Sequence, residues 1–152
     1  MRKSLHNLSD VKEIINRIHL LHENSPRKWG SMNVSQMMVH CAKILEIPNK
    51  NLQLKHPHFL IRLIGVVTKY EIRIFNNGIP HNMPTFDEVV VKESCDFLET
   101  KKYLLATLDE YVWNVSQNNL PKTHQLFGKM TKFDWGFLEY KHLHHHLKQF
   151  NV

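Results

Sequence analysis

The sequence predicts an all-α protein, an antiparallel four-helix bundle with a long middle connection. Four segments repeat apolar residues at three- and four-residue spacing, which is the period of an amphipathic helix. The six prolines, at positions 26, 48, 57, 80, 84 and 121, lie outside these segments. The chain has 152 residues, of which 42% are hydrophobic and 22% charged. These values suit a single globular domain that spans residues 1–152.

The first two predicted helices lie in the N-terminal third of the chain. The first runs from about Ser9 to Asn24, and either Ser9 or Asp10 can cap its start. The second runs from about Asn33 to Glu46. Asn33 and Gln36 have the three-residue spacing of a capping box, in which each side chain bonds the other residue's backbone N–H.

A middle connection of roughly 47 residues follows. Residues 47–58 are polar and contain two prolines, so they read as a loop. The apolar run from Phe59 to Thr68 is either a short buried helix or a strand, because it is too brief for its period to decide. Residues 88–92 have the composition of a strand but could simply be extended.

Two further helices are predicted in the C-terminal half. One runs from about Ser94 or Asp96 to Val115, and residues 116–130 then form a loop with a proline and a glycine. The last helix begins near Thr131, with Asp134 at the capping-box position, and continues to about residue 150.

Composition narrows the classes of function. The only two cysteines cannot form a disulfide framework, and no signal-peptide segment is recognised, so a cytoplasmic protein is expected. The longest apolar stretch is too short to span a bilayer. The net charge is +6 without a run of basic residues. We therefore expect no nucleic-acid and no membrane partner, while a homodimer stays open.

The chain contains 12 histidines, and three of them fit a metal site. On a helix, His142 and His146 are separated by only about 40°, so their rings stack one turn apart and can share an ion. Catalytic metal sites typically have three protein ligands and an open position. His40 is the third candidate, because it lies in the apolar stripe of the second helix, between Met37 and Cys41.

Simpler explanations exist for each of these residues. A single His on a helix face is more often a hydrogen-bonded core residue than a ligand, and the pair on the last helix could titrate in water. His144 is expected on the opposite side of that helix, exposed to solvent. Four residues could orient the ligands or exchange protons, since ligand histidines usually need an oriented partner; they are Gln36, Glu139, His145 and Gln149.

The chain resembles the DinB-like superfamily, in particular a bacterial branch of unknown function. The likeness is carried by WGSM at 29–32, QMMVHCA at 36–42, FGKMT at 127–131 with WG at 135–136, YKH at 140–142, HHL at 145–147 and QF at 149–150. The resemblance implies a four-helix bundle that holds a divalent metal through His40, His142 and His146. Three His ligands suit zinc, nickel, iron or copper, and the first three are the metals we expect. This sequence differs from the family pattern at His144, where similar sequences often carry an acidic or polar residue.

Two hypotheses of function follow. In the first, the protein is a metal-dependent enzyme, a thiol transferase or a hydrolase, that acts on a small molecule. Some relatives in the superfamily use low-molecular-weight thiols, so such a thiol is an expected partner. In the alternative, the chain is a non-catalytic, metal-stabilised helical module of stress or interaction type. A third hypothesis, a nucleic-acid binder, is motivated by the pI of about 9.4 and by the superfamily's association with a damage-inducible gene, but the sequence lacks a basic helix and an aromatic–basic stripe.

Overall fold

Five α-helices and one short β-hairpin form the fold of residues 2–152, which are the residues that the computed structural model describes. The helices and strands are α1 (Leu8–Leu20), α2 (Val34–Glu46), α3 (Phe59–Phe75), α4 (Phe97–Ser116), β1 (Thr123–His124), β2 (Gly128–Lys129) and α5 (Lys132–Gln149). A short 3-10 helix covers Asp87–Val89. The predicted helical class is confirmed, whereas the antiparallel four-helix arrangement stays a prediction.

Local capping fixes where α2, α4 and α5 begin. Asn33 and Gln36 form the predicted capping box of α2, and Thr131 and Asp134 form that of α5. The Asp96 side chain accepts a hydrogen bond from a backbone N–H in the first turn of α4. These three helix starts match the predictions, because a cap depends on residues three apart in the sequence and not on the rest of the fold.

The first helix is shorter than predicted and is not capped by Ser9 or Asp10. It ends at Leu20, and the backbone at Leu21 is extended, which buries the Leu21 side chain. The residue before the helix is Asn7, whose side-chain amide donates to the Asp10 carboxylate at 2.9 Å. Asp10 therefore fastens the N-terminal segment to α1 from inside the first turn.

The middle connection contains a fifth helix, which the four-helix prediction lacked. The apolar run from Phe59 is neither short nor buried, because α3 continues to Phe75 and buries only Gly65, Lys69 and Ile72. The strand-like residues 88–92 instead begin within the short 3-10 helix. Between α4 and α5, the predicted loop contains the hairpin, in which β1 pairs with β2 in antiparallel register.

The main core is shared by α1, α2, α4 and α5. Helix α2 packs against both α4 and α5, and α1 packs against α5. The core contains Val11, Ile14, Ile18, Met37, Met38, Cys41, Leu45, Leu104, Leu108, Tyr111, Tyr140, Leu143 and Leu147, among others. A second cluster, which includes Ile72, Val89, Met130 and Trp135, lies between α3, the 3-10 helix and α5.

Helix α5 is the most enclosed element, and every residue from 134 to 140 is buried. The N-terminal segment packs directly onto its backbone, where the Leu5 N–H donates to the Gly136 carbonyl at 3.0 Å. A Cβ at Gly136 would lie 2.4 Å from the Ser4 hydroxyl oxygen, so this close approach requires glycine. None of the described helices combines the length and apolar character needed to cross a bilayer.

Candidate metal centre

Three histidines converge where α2 packs against α5. One ligand nitrogen from each of His40, His142 and His146 lies within 4.8 Å of the other two. The Nε2 atoms of His40 and His142 are 3.1 Å apart. His40 and His146 are 5% and 8% exposed, whereas His142 is only half-buried. The predicted trio is thus brought together, with its accessible side at His142.

Hydrogen bonds fix the orientation of two of the three rings. His40 Nδ1 lies 2.9 Å from the carbonyl oxygen of Val89. Because a carbonyl can only accept, Nδ1 carries the proton and Nε2 presents a lone pair to the centre. His146 Nδ1 lies 2.8 Å from Oε1 of Gln149, whose amide nitrogen donates to the Trp29 carbonyl at 2.7 Å. That second bond fixes the amide, so His146 also presents Nε2 to the centre.

The ring of His142 has no such hydrogen bond at Nδ1. Nδ1 of His142 is buried without a hydrogen-bond partner, and so is Oε2 of Glu139, three residues earlier on α5. An unpaired buried polar atom is costly, and native structures contain few of them. A carboxylate is also a usual acceptor for the second N–H of a metal-ligating imidazole. Glu139 is a candidate acceptor for His142 by its place on the helix, while its carboxyl group acts on Cys41 and Tyr111, whose pKa values it helps to raise.

Burial keeps the three imidazoles neutral. It is the largest cause that lowers the pKa of His40 and His142, and it lowers the pKa of His146 to about 3. An imidazole must be unprotonated to bind a metal, so all three rings are ready to act as ligands at neutral pH. Burial raises the pKa of Glu139 to about 8. It also raises the pKa of Cys41, so the neighbouring thiol is protonated and unsuited to ligation.

The four predicted supporting residues differ in how close they lie to the three histidines. Gln149 contacts the triad directly through His146. Glu139 is buried on the same helix and acts on Cys41 and Tyr111 of the main core. The ring of His145 lies 5.0 Å from that of His146 and 5.4 Å from that of Trp29. Gln36 does not reach the site, because its side chain completes the α2 capping box and donates to two backbone carbonyls at 92–93.

His144 faces away from the triad, but it is not the solvated residue that the sequence predicted. Its Nδ1 accepts a hydrogen bond from Arg17 at 2.8 Å, and its ring stacks on Tyr140 with 5.7 Å between centroids. Burial and the adjacent guanidinium lower the pKa of His144 to about 4. The helical wheel correctly gave its direction but could not show that α1 covers this side of α5.

Sequence reasoning missed the two backbone carbonyls that orient the site, those of Trp29 and Val89. A carbonyl has no signature in a sequence, since every residue carries one. The short apolar run around Val89 offered a partial signal, because the residue is fully buried and brings the middle connection against His40.

A cavity of about 330 Å³ lies beside His145, and none of the three triad histidines lines it. It is lined in part by Trp29, His81, Lys141, His145 and Lys148. The rings of Trp29 and His81 stack, with centroids 3.8 Å apart. His145 lines the cavity, and its ring also contacts that of His146 in the triad. The wall is cationic and aromatic, and the volume suits a small molecule.

The chain was compared with models of protein families, with curated proteins and with solved structures, and none of them matches. The resemblance to the DinB-like superfamily accordingly stays a prediction.

Proposed function

We propose that the protein binds one divalent metal ion through His40, His142 and His146, and that this centre belongs to a metal-dependent enzyme. The observation that carries the proposal is the convergence of three neutral imidazoles, two of which are held by hydrogen bonds with Nε2 toward a common point. We further propose that α1, α2, α4 and α5 form an antiparallel bundle of the DinB-like type. Their shared core supports this arrangement.

The donor set suits the expected ion. Imidazole ligands are used for zinc, iron and nickel, and three of them leave a coordination position open. A divalent ion held there supplies Lewis acidity, which lowers the pKa of a water or thiol at the open position. The chain's own contribution is to hold the ligands: Val89 orients His40, and Gln149 orients His146.

The proposed reaction is thiol transfer or hydrolysis on a small electrophile. The adjacent cavity supports a small-molecule substrate, and Lys141 and Lys148 in its wall favour one that carries negative charge. We assign proton transfer to His145 because its ring both contacts the triad and lines the cavity. A low-molecular-weight thiol is the proposed co-substrate.

Metal analysis of the untagged protein tests the metal site. One ion per chain is expected after dialysis against zinc, nickel or iron(II), each alone. His40→Ala should reduce the bound metal at least tenfold, because it removes one of three ligands. His144→Ala is the matched control, since that ring points away from the triad and bonds Arg17. Equal losses in the two variants would show that the histidines of α5 bind metal only as a surface cluster.

Turnover tests the enzymatic part. The metal-loaded and the chelator-treated protein are each given a small thiol with an activated aryl chloride, and separately an activated ester. Product formation only by the loaded protein, reduced by His145→Ala without loss of metal, is the expected result. Metal binding without any turnover would favour the non-catalytic module.

A further inference from the structure

Helix α3 presents an apolar face to solvent. Nine of its large hydrophobic side chains are between 48% and 68% exposed. We call them the α3 apolar face; they are Phe59, Leu60, Ile61, Leu63, Ile64, Val67, Tyr70, Ile74 and Phe75. At about 100° per residue they occupy one broad side of the helix, on which Glu71 is the one charged residue.

The helix is fastened with this face outward. At Gly65, a Cβ would lie 2.5 Å from the Leu126 side chain, so the backbone approaches the hairpin loop closely. On the same side, Lys69 donates to the Lys129 carbonyl at 2.6 Å, and Arg73 pairs with a buried carboxylate at 3.1 Å. These contacts fix the rotation of α3. The apolar face cannot turn inward without breaking them.

The size of the face matches that of a protein interface. From their exposed fractions, the nine side chains expose on the order of 1,000 Å², whereas the largest apolar patch on a monomer is typically ~300–600 Å². A standard interface buries ~800 Å² on each partner. The α3 apolar face alone therefore supplies the area that a stable dimer needs.

The charges on α3 favour a protein partner over a lipid surface. A helix that lies on a membrane keeps Lys and Arg free beside its apolar face to contact anionic lipids. In α3, the side chains of Lys69 and Arg73 are engaged with the body of the protein, which leaves only Arg62. A nearly uncharged apolar face fits another apolar protein face.

The face is also compatible with pairing to itself. Val67 is the middle residue of α3 and lies at the centre of the apolar side. Two antiparallel copies related by a two-fold axis near Val67 would place Phe59 of one copy against Phe75 of the other, and Leu60 against Ile74. Such an isologous contact uses one patch twice and closes after two subunits. We propose that the protein is a homodimer that buries its α3 apolar faces against each other.

Solution mass tests this proposal independently of the metal site. Multi-angle light scattering and sedimentation equilibrium of the full chain should give twice the chain mass of 18.1 kDa. Leu63→Glu should weaken the dimer at least ~100-fold by burying a charge. Leu98→Glu is the matched control, because Leu98 on α4 is 64% exposed and Leu63 is 60% exposed. Circular dichroism establishes that both variants fold.

Cross-linking tests the geometry. Cβ atoms on a two-fold axis can approach within disulfide range, so Val67→Cys should form a covalent dimer under mild oxidation, while Leu98→Cys should not. Both variants carry Cys95→Ser, since Cys95 is partly exposed. A wild-type chain that is monomeric at ~100 µM, or a dimer that Leu63→Glu does not weaken, overturns the proposal. A monomer that floats with anionic lipid vesicles would assign the face to lipid.

Discussion

Helices α5 and α3 break the rule of apolar inside and polar outside in opposite directions. On α5, the polar side chains of Glu139, His146 and Gln149 are no more than 8% exposed. On α3, nine large apolar side chains are exposed. Both helices have ordinary helix-forming sequences, so the difference lies in what surrounds them: α5 is enclosed by neighbouring elements, whereas α3 touches the body along one narrow stripe.

The two exceptions indicate two kinds of missing partner. A buried polar group requires a hydrogen bond or an ion, and an exposed apolar patch requires another surface. We accordingly relate the α5 exception to a metal centre and the α3 exception to a second copy of the chain.

Substitution of leucine by alanine should have the most different effects on the free energy of unfolding in the two helices. Leu143→Ala on α5 should lower the free energy of unfolding by about 2–5 kcal/mol, because Leu143 is 1% exposed and leaves a cavity. Leu63→Ala on α3 should change it by less than about 0.5 kcal/mol where the chain is monomeric. Urea unfolding of dilute protein measures both. Equal effects would mean that α3 is as enclosed as α5.

Metal removal should lower the stability of the protein without unfolding it. An ion at 100 times its dissociation constant adds about 2.7 kcal/mol to stability, which a chelator removes at pH 7.5. At pH 5 the metal-loaded protein should still melt at a higher temperature than the metal-free protein, because burial lowers the pKa of all three histidines in the folded chain, that of His146 to about 3, and the rings stay neutral. The stability from the metal is lost only as pH falls further and protons compete with the ion for the ring nitrogens. Circular dichroism melts record the change, and complete loss of helix at pH 7.5 would favour a structural metal.

The two glutamines that the sequence proposed as supporting residues should behave differently. Gln149→Leu should weaken metal binding about 10–100-fold, because it removes the acceptor that orients His146. Gln36→Leu should leave metal affinity unchanged and cost only about 1 kcal/mol of stability through loss of the α2 cap. Competition with a chromophoric chelator measures the affinities. A weaker site in Gln36→Leu would contradict the assignment.

The smallest effect concerns His124, which lies between the two helices. Its ring is 5.6 Å from that of Trp135 on α5, and its Nδ1 accepts two backbone N–H groups of the hairpin loop. Burial, assisted by Lys69 of α3, lowers the pKa of His124 to about 4. Its contribution to stability is therefore present above pH 6.5 and is lost as pH falls toward 4.

Between pH 6.5 and 5.5, the metal-free protein should lose about 1 kcal/mol through this group. His124→Phe should make that part of the pH profile less steep by this amount, measured by urea unfolding at each pH; the other histidines whose pKa is lowered, such as His144, keep the remaining slope. A profile of unchanged slope would show that His124 is not responsible.

The sequence predicted those features that depend on neighbours in the chain. The capping boxes at Asn33 and Thr131 and the pairing of His142 with His146 follow from spacings of three and four residues. His40 was found because a polar ring interrupts an apolar stripe. Each of these features depends on residues that are close in the sequence, so it can be predicted without knowing the rest of the fold.

The features that could not be predicted from the sequence depend on packing between residues that are far apart in the chain. An apolar run such as Phe59 to Thr68 is normally buried, and nothing in it shows that Lys69 and Arg73 fasten the opposite side of the helix. The carbonyls of Trp29 and Val89 reach the triad only through the course of the chain. The contact by which α1 covers His144 likewise depends on long-range packing, since Arg17 and His144 are 127 residues apart in the sequence.

The most direct test of the account is a crystal structure of the metal-loaded, untagged protein with anomalous data collected at the absorption edge of the ion. We predict a single strong anomalous peak bonded to the three Nε2 atoms of His40, His142 and His146, at about 2.0–2.1 Å for zinc. Nδ1 of His142 should then face an acceptor. A peak at His144 or elsewhere on the surface of α5, with no ion at the triad, would contradict the account.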